Sequence, residues 1–206
     1  MTDDIRNMPG MTHQPYIAPF LELTPEIDAS AFIAATAAII GAVRIGKNSS
    51  IWHQVTVRGD NNYITIGEGT NIQDNSCVHI DSIKFPTIIG NFVTIGHSAL
   101  IHACTIGDYG FVGMGAIVMD GTTIEDTAML AAGAMLTAGK TIPAGELWVG
   151  RPAKKIRDLT PEELTFNRSS AHHYIEVARA YRLGNDGAPF DNMHYRPLPP
   201  LENKSE

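Results

Sequence analysis

The chain has 206 residues, 44% of them hydrophobic and only 7% aromatic, with 2 cysteines and a formal net charge of −7. That apolar share supports one sizeable core, built from Ile, Val, Leu and Ala rather than from large rings. The acidic balance excludes the basic stripe of a nucleic-acid-binding surface, two cysteines exclude a disulfide framework, and no apolar run reaches membrane-span length, so a cytoplasmic protein is expected.

Residues 1–30 read as an N-terminal extended segment, and Met1–Pro9 is polar and acidic, with no apolar core of a secretion signal. From about residue 31 a repeat takes over. Aliphatic residues recur every six positions at Ile33, Ile39, Ile45, Ile51 and Val57, and again at Ile66, Ile72 and Val78 after a short insertion. A second insertion separates these from Ile89, Ile95 and Ile101. The next step shortens by one, and the series runs on through Ile106, Val112, Val118, Ile124, Leu130, Leu136 and Ile142. The residue two before the aliphatic is usually small, as at Ala37, Ser76, Ala99 and Ala128. A period of six is neither helical nor a simple strand alternation. It makes one short strand and one tight corner, so three units close a triangular coil, with the aliphatic inside and the small residue at the narrow corner. Coils of this kind stack at strand spacing, about 4.8 Å. Only the stack buries a core, because no single coil can cover its own apolar face. The parallel β-helix is therefore predicted over 31–150.

Beyond it, Thr160-Pro161-Glu162-Glu163 is a helix start, with Thr as N-cap, Pro in the first turn and Glu163 closing a capping box. A C-terminal helical segment is predicted over 151–183, with a break near Ser169-Ser170. A Pro-rich tail follows over 184–206.

The repeat register also places histidines. Ile39, Val57, Val78, Ile101, Val118 and Leu136 fall on one face, and the residue after each points outward because neighbouring strand residues alternate sides. Arg58, His79 and His102 are such residues. The two imidazoles then stack on adjacent coils, close enough to share one metal ion. His97 lies on the adjoining face, with Asn71 and Gln73. Around a three-fold axis that face would meet the His79/His102 face of the next subunit, so the third ligand would come from a neighbour. Cys104 reads as a core residue and Cys77 as an outward one outside the ligand register. His53 reads as a surface residue, and His13 and His194 carry no signal.

Arg58-Gly59-Asp60, Thr70-Asn71-Ile72-Gln73-Asp74, Val78-His79, Gly96-His97 and Leu100–Gly107 resemble the signature segments of γ-class carbonic anhydrases, a hexapeptide-repeat family, over about residues 20–182. The resemblance implies a mainly β fold, a left-handed parallel β-helix with a C-terminal α-helix, assembled as a homotrimer. It implies His79, His97 and His102 as ligands of Zn²⁺, with Fe²⁺ or Co²⁺ as alternatives. It implies Gln73, Asn71 and Tyr174 as catalytic residues, Arg58 and Asp60 as an interface ion pair, and Asp74 as a further interface or structural residue. The implied reaction is reversible hydration of CO₂ to bicarbonate by a metal-bound hydroxide at the subunit interface. No membrane or nucleic-acid partner is expected. Two features depart from the family prototype: Asn61 stands where the prototype has a catalytic Glu, and the insertion Asp81–Thr87 lacks the proton-shuttle Glu. Proton removal is then the expected bottleneck; His172 and His173 read first as a solvated helix face, with a stand-in shuttle as the second reading. Two rivals share the fold: a hexapeptide-repeat acyltransferase, and a metal-stabilised trimeric accessory protein with little activity.

Overall fold

The computed structural model describes residues 14–183. Residues 1–13, with His13, and the tail 184–206, with His194, lie outside the described residues. The chain forms a parallel β-solenoid of about seven turns followed by a single C-terminal helix. Short strands alternate with corners, and every third strand stacks on its predecessor.

Three faces result. The first carries the columns through Cys77–His79, Leu100–His102, Ile117–Val118 and Met135–Leu136. The second carries Thr87–Ile89, Thr105–Ile106, Thr123–Ile124 and Thr141–Ile142. The third runs from Phe32–Ile33 through Ser50–Ile51, Asn71–Ile72, Thr94–Ile95, Phe111–Val112 and Met129–Leu130 to Glu146–Val149. Two long strands, Ala38–Ile45 and Thr56–Ile66, turn the corner between the first two faces without breaking, and their pairing shifts register between Gly41 and Val43. These two faces therefore form one 12-stranded sheet, and the third face forms an 8-stranded one. Tyr16–Ala18 and Glu26–Ile27, within the expected N-terminal extended segment, pair with Ala38–Ile45 and lengthen the solenoid at that end.

The six-residue series is the core. Ile39 pairs with Val57, Val57 with Val78, Val78 with Ile101, Ile101 with Val118 and Val118 with Leu136. All six are fully buried. The short step between Ile101 and Ile106 changes only the corner, because Ile106 still pairs with Ile89 and Ile124. Backbones approach so closely at the stacked corners that a Cβ on Gly113 would lie 2.2 Å from the amide nitrogen of Ala132 in the next coil.

The chain leaves the solenoid through a strand, Lys154–Asp158, antiparallel to Glu146–Val149. The segment after 150 thus opens with a strand before turning helical. The helix spans Pro161–Leu183 and is continuous through Ser169-Ser170, where a break was expected. The serines are absorbed locally: Ser169 Oγ donates to the Phe166 carbonyl at 3.0 Å, while fully buried Ala171 seats that turn against the solenoid. The capping box forms in both directions, with the Thr160 amide donating to Glu163 Oε2 at 2.9 Å and the Glu163 amide to Thr160 Oγ1 at 3.3 Å. Trp52, on the third face, packs edge-on against Tyr174 and Tyr181, and Arg182 donates to the carbonyls of Ser30 and Ala29. The helix is thereby strapped lengthwise across the third face. Among the described residues no helix is long and apolar enough to cross a membrane.

Ile101→Ala should cost about 2–5 kcal/mol, because it removes a fully buried side chain from a stack that cannot collapse sideways. A urea denaturation midpoint unchanged by this substitution would contradict the core register. The helix cap should be acid-sensitive. Hydrogen bonds from Arg157 and from the Thr160 amide push the Glu163 carboxyl down to about 2. A depressed carboxylate pKa stabilises the fold fully above the ordinary Glu value, and the contribution is lost as pH falls toward about 2. Amide-exchange protection in the first helical turn should therefore fall in that window, and Glu163→Gln should reduce the pH dependence to what Glu162, whose carboxyl is also held down by backbone and Thr160 hydrogen bonds, contributes.

Candidate metal centre

Strand alternation turns Arg58, His79 and His102 outward on the first face. Direct pairing of His79 with His102 sets the imidazoles one above the other, with ring centroids 5.2 Å apart and planes at 48°. His79 Nδ1 faces His102 Nε2 at 3.2 Å. The remaining nitrogen of each ring meets a carboxylate: His79 Nε2 lies 3.1 Å from Asp60 Oδ1, and His102 Nδ1 lies 2.6 Å from Asp120 Oδ1.

This arrangement assigns the protons. An ionised carboxylate accepts only, so the nitrogen beside it carries the N–H. In the neutral tautomers the two facing nitrogens are then both lone pairs. Lone pairs at 3.2 Å repel unless a proton or a metal cation lies between them. Burial works to raise the pKa of Asp60, but hydrogen bonds from His79 and from the backbone, and the nearby charge of Arg58, outweigh it and hold the carboxyl below its ordinary value. Arg58 and Asp60 pair with each other within the one chain.

The third face supplies a second group of residues. His97 and Asp74 each lie two residues beyond the paired Ile95 and Ile72, so the two coils bring them level, and His97 Nδ1 sits 2.9 Å from Asp74 Oδ2. Asn71 is fully buried under the helix, and Gln73 is nearly so. Asn71 Nδ2 donates to the Val93 carbonyl at 3.3 Å and to Thr94 Oγ1 at 3.0 Å. A backbone carbonyl can only accept, which fixes the orientation of the Asn71 amide. Its Oδ1 then accepts from Gln73 Nε2 at 3.0 Å, leaving Gln73 Oε1 as the free acceptor. Thr94 Oγ1 continues the chain to Ser170 Oγ on the helix at 3.4 Å. Tyr174, also from the helix, is half-buried, and desolvation together with the charge of Asp74 raises its pKa.

Within one protomer, then, His79 and His102 come together, and His97 stands apart with Asp74, Asn71, Gln73 and Tyr174. Among the described residues of the single chain, no three His, Cys, Asp or Glu groups converge as a metal site. Of the remaining candidates, His53 pairs with Thr36 Oγ1 at 3.0 Å, and His172 and His173 are exposed on the helix, His172 beside the Phe92 ring. In the insertion, Asp81 Oδ1 accepts from the Ile83 and Lys84 amides and closes a tight turn.

Asp120, Thr94 and Ser170 were not singled out from the sequence. The register points to Met119 as the next member of the histidine column, and Asp120 reaches His102 from the corner beyond it. Thr94 and Ser170 meet only because the helix lies on the third face, a contact between residues 76 positions apart. No periodicity signals either case.

No protein-family model matches the chain. Over 167 residues it is 47% identical to the mitochondrial gamma carbonic anhydrase 2 of Arabidopsis thaliana, an alignment covering 79% of this chain and 60% of that protein. The chain thus spans about 60% of the length of that plant relative. Over 166 residues it is 41% identical to a carbonic anhydrase of Geobacillus kaustophilus, covering 81% of this chain and 91% of that protein. Among solved structures, a hexapeptide transferase family protein from Anaplasma phagocytophilum superposes with a TM-score of 0.78 at 52% identity, covering 81% of this chain and 98% of that one.

The two cysteines beside this centre should differ in reactivity. Burial, with a smaller contribution from Asp120, pushes the Cys104 thiol up to about 12, so the thiol stays protonated at pH 8 in the folded protein. Cys77 is half-buried; burial raises its thiol too, while the charge of Arg58 works against the rise. Iodoacetamide followed by mass spectrometry should leave Cys104 unmodified in the folded protein and modify it in urea. Equal labelling of both thiols in the folded state would contradict the inward placement of Cys104.

Proposed function

We propose that this chain, which belongs to the γ-class carbonic anhydrase-like family of hexapeptide-repeat proteins, is a metal-dependent carbonic anhydrase that works as a homotrimer. Zinc is the metal of this reading, with Fe²⁺ or Co²⁺ as substitutes that the same nitrogen donors accept. His79 and His102 of one protomer and the partner subunit's His97 are the ligands.

The observation that carries the reading is the pair of ring nitrogens, His79 Nδ1 and His102 Nε2, held face to face at 3.2 Å, each with its other ring nitrogen against a carboxylate. Two nitrogens bound to one tetrahedral zinc at its usual bond length stand about 3.3 Å apart. The spacing of this pair is therefore compatible with both nitrogens binding one ion. The outward surface beside the histidines supports assembly. Cys77, Leu100, Ile117 and Met135 form a column of paired positions with no charged member, and Leu100 is 40% exposed in the single chain. An apolar column bordering a polar centre is what an association surface requires. The group left on the third face by the single chain, His97 with Gln73 and Tyr174, then completes the centre from the neighbour.

His79, His102 and the partner subunit's His97 would hold zinc through neutral imidazoles, and the bound ion would supply hydroxide near neutral pH. The chain's own residues do the rest. Gln73 offers Oε1 as an acceptor, which takes a hydrogen bond from the attacking oxygen and aims its lone pair at the carbon of CO₂. Asn71 fixes the polarity of Gln73, and Val93 and Thr94 fix Asn71. Tyr174 stands beside this group as a protonated phenol at neutral pH, and burial and the charge of Asp74 raise its pKa further. Proton removal has no Glu to serve it at position 61 or in the insertion, so this step limits turnover.

Stopped-flow CO₂ hydration on zinc- and iron-loaded protein tests the reading. Activity should exceed the buffer rate and should increase with buffer concentration. His97→Ala should return it to background and lower the bound metal in elemental analysis, while leaving the secondary structure intact. The structural likeness to a hexapeptide transferase family protein motivates the competing outcome. Tight acetyl-CoA binding in calorimetry by metal-free protein, with no hydration above background in either metal, would transfer the assignment to acyl transfer.

A further inference from the structure

We propose that Asp120 is the positioning residue of His102, and that its carboxylate, by taking the Nδ1–H, is what delivers the Nε2 lone pair toward the metal. The inference rests on the reading of His79 and His102 as ligands of one ion. It goes beyond that reading because Asp120 lies outside every segment that carries the family resemblance.

Three observations carry it. The contact is short, with His102 Nδ1 and Asp120 Oδ1 at 2.6 Å, just under the roughly 2.7–2.9 Å of a charge-assisted N–H···O bond. The carboxylate is also presented by a rigid corner rather than a free loop. The Asp120 carbonyl accepts from the Gly139 amide of the next coil at 3.0 Å, and the Gly121 amide donates to the Ala103 carbonyl of the previous coil at 2.8 Å. Thr122, almost fully buried, donates through Oγ1 to the Met119 carbonyl at 2.6 Å and closes the turn. Gly121 adopts a left-handed φ of 64°, and the Phe85 ring from the insertion packs against it. Finally, the direction is right: the nitrogen that Asp120 occupies is the one turned away from His79, so the tautomer it enforces points the ring's free lone pair into the shared gap.

A bland alternative exists. A partly exposed carboxylate beside a histidine can be a surface ion pair worth about 0–1 kcal/mol and nothing more. Such a pair would form only with protonated His102 and would compete with metal. A positioning role predicts the opposite sign, because a metal-ligating imidazole whose far N–H is held by a carboxylate is pre-oriented and more basic. The two roles therefore separate on metal affinity.

The experiment measures zinc affinity by chelator competition on the full chain, for the wild type, Asp120→Ala and Asp120→Asn, with the melting temperature of each metal-free protein alongside. Asp120→Ala should bind zinc about 10–100-fold more weakly. Asp120→Asn should fall between it and the wild type, because an amide oxygen still accepts the N–H without the charge. Both metal-free proteins should melt near the wild-type temperature. Unchanged or tighter zinc binding by Asp120→Ala would overturn the proposal and leave the ligand assignment standing. Failure of the wild type itself to bind zinc would bring down the ligand assignment, and the proposal with it. If Asp120→Ala does not fold, Asp120→Asn decides: weaker binding at unchanged melting temperature supports the role, and wild-type affinity overturns it.

Discussion

Everything in this molecule depends on the fact that the backbone hydrogen bonds of the solenoid run between coils. A strand of two or three residues has almost no stability of its own, and a coil cannot cover its own apolar face. Pairing with the coil above and the coil below supplies both needs at once. It fixes register as a consequence, since a slip by one residue would turn each aliphatic outward and drive an outward neighbour such as Arg58, His79 or His102 into the core. Ile101 is held between Val78 and Val118 in this way, and His102 is thereby held over His79. The core and the candidate centre are two sides of one ladder.

The same ladder explains how a chain with short strands can hold chemistry still. His79 and His102 ride on strands locked by their neighbours, and their outer nitrogens are tied by Asp60 and Asp120. Gln73 is tied through Asn71 to a backbone carbonyl. Each of these candidate atoms is thus one or two hydrogen bonds from the solenoid backbone. This is the kind of support a metal site needs if its ligands are to meet an ion without an ordering cost. The helix adds to it. By covering the third face it takes Asn71 and Thr94 out of water, where an amide pair has one stable arrangement instead of several.

Much of this could be read in advance. The six-residue series is a direct image of the coil, and the insertions and the one shortened step leave the paired columns intact. The stacking of His79 on His102 followed from counting coils, and the helix start at Thr160 followed from its capping chemistry. The expected interruption at Ser169-Ser170 did not occur, because local propensity is weaker than docking: Ala171 is buried and Ser169 satisfies its hydroxyl on its own helix. The strand Lys154–Asp158 also escaped notice, since all five residues are exposed, four are charged, and they carry no alternation toward a core.

The sequence by itself determined the coil, its columns and which side of each strand faces out, because those follow from a period that hydrogen bonding converts directly into position. It could not determine what the corners present. Asp120 meets His102 through a turn shaped by Gly121 and Thr122, and Ser170 meets Thr94 through a helix docked from 76 residues away. Only the folded chain decides such contacts, since a corner's direction and a helix's seat depend on packing among parts that no local spacing connects.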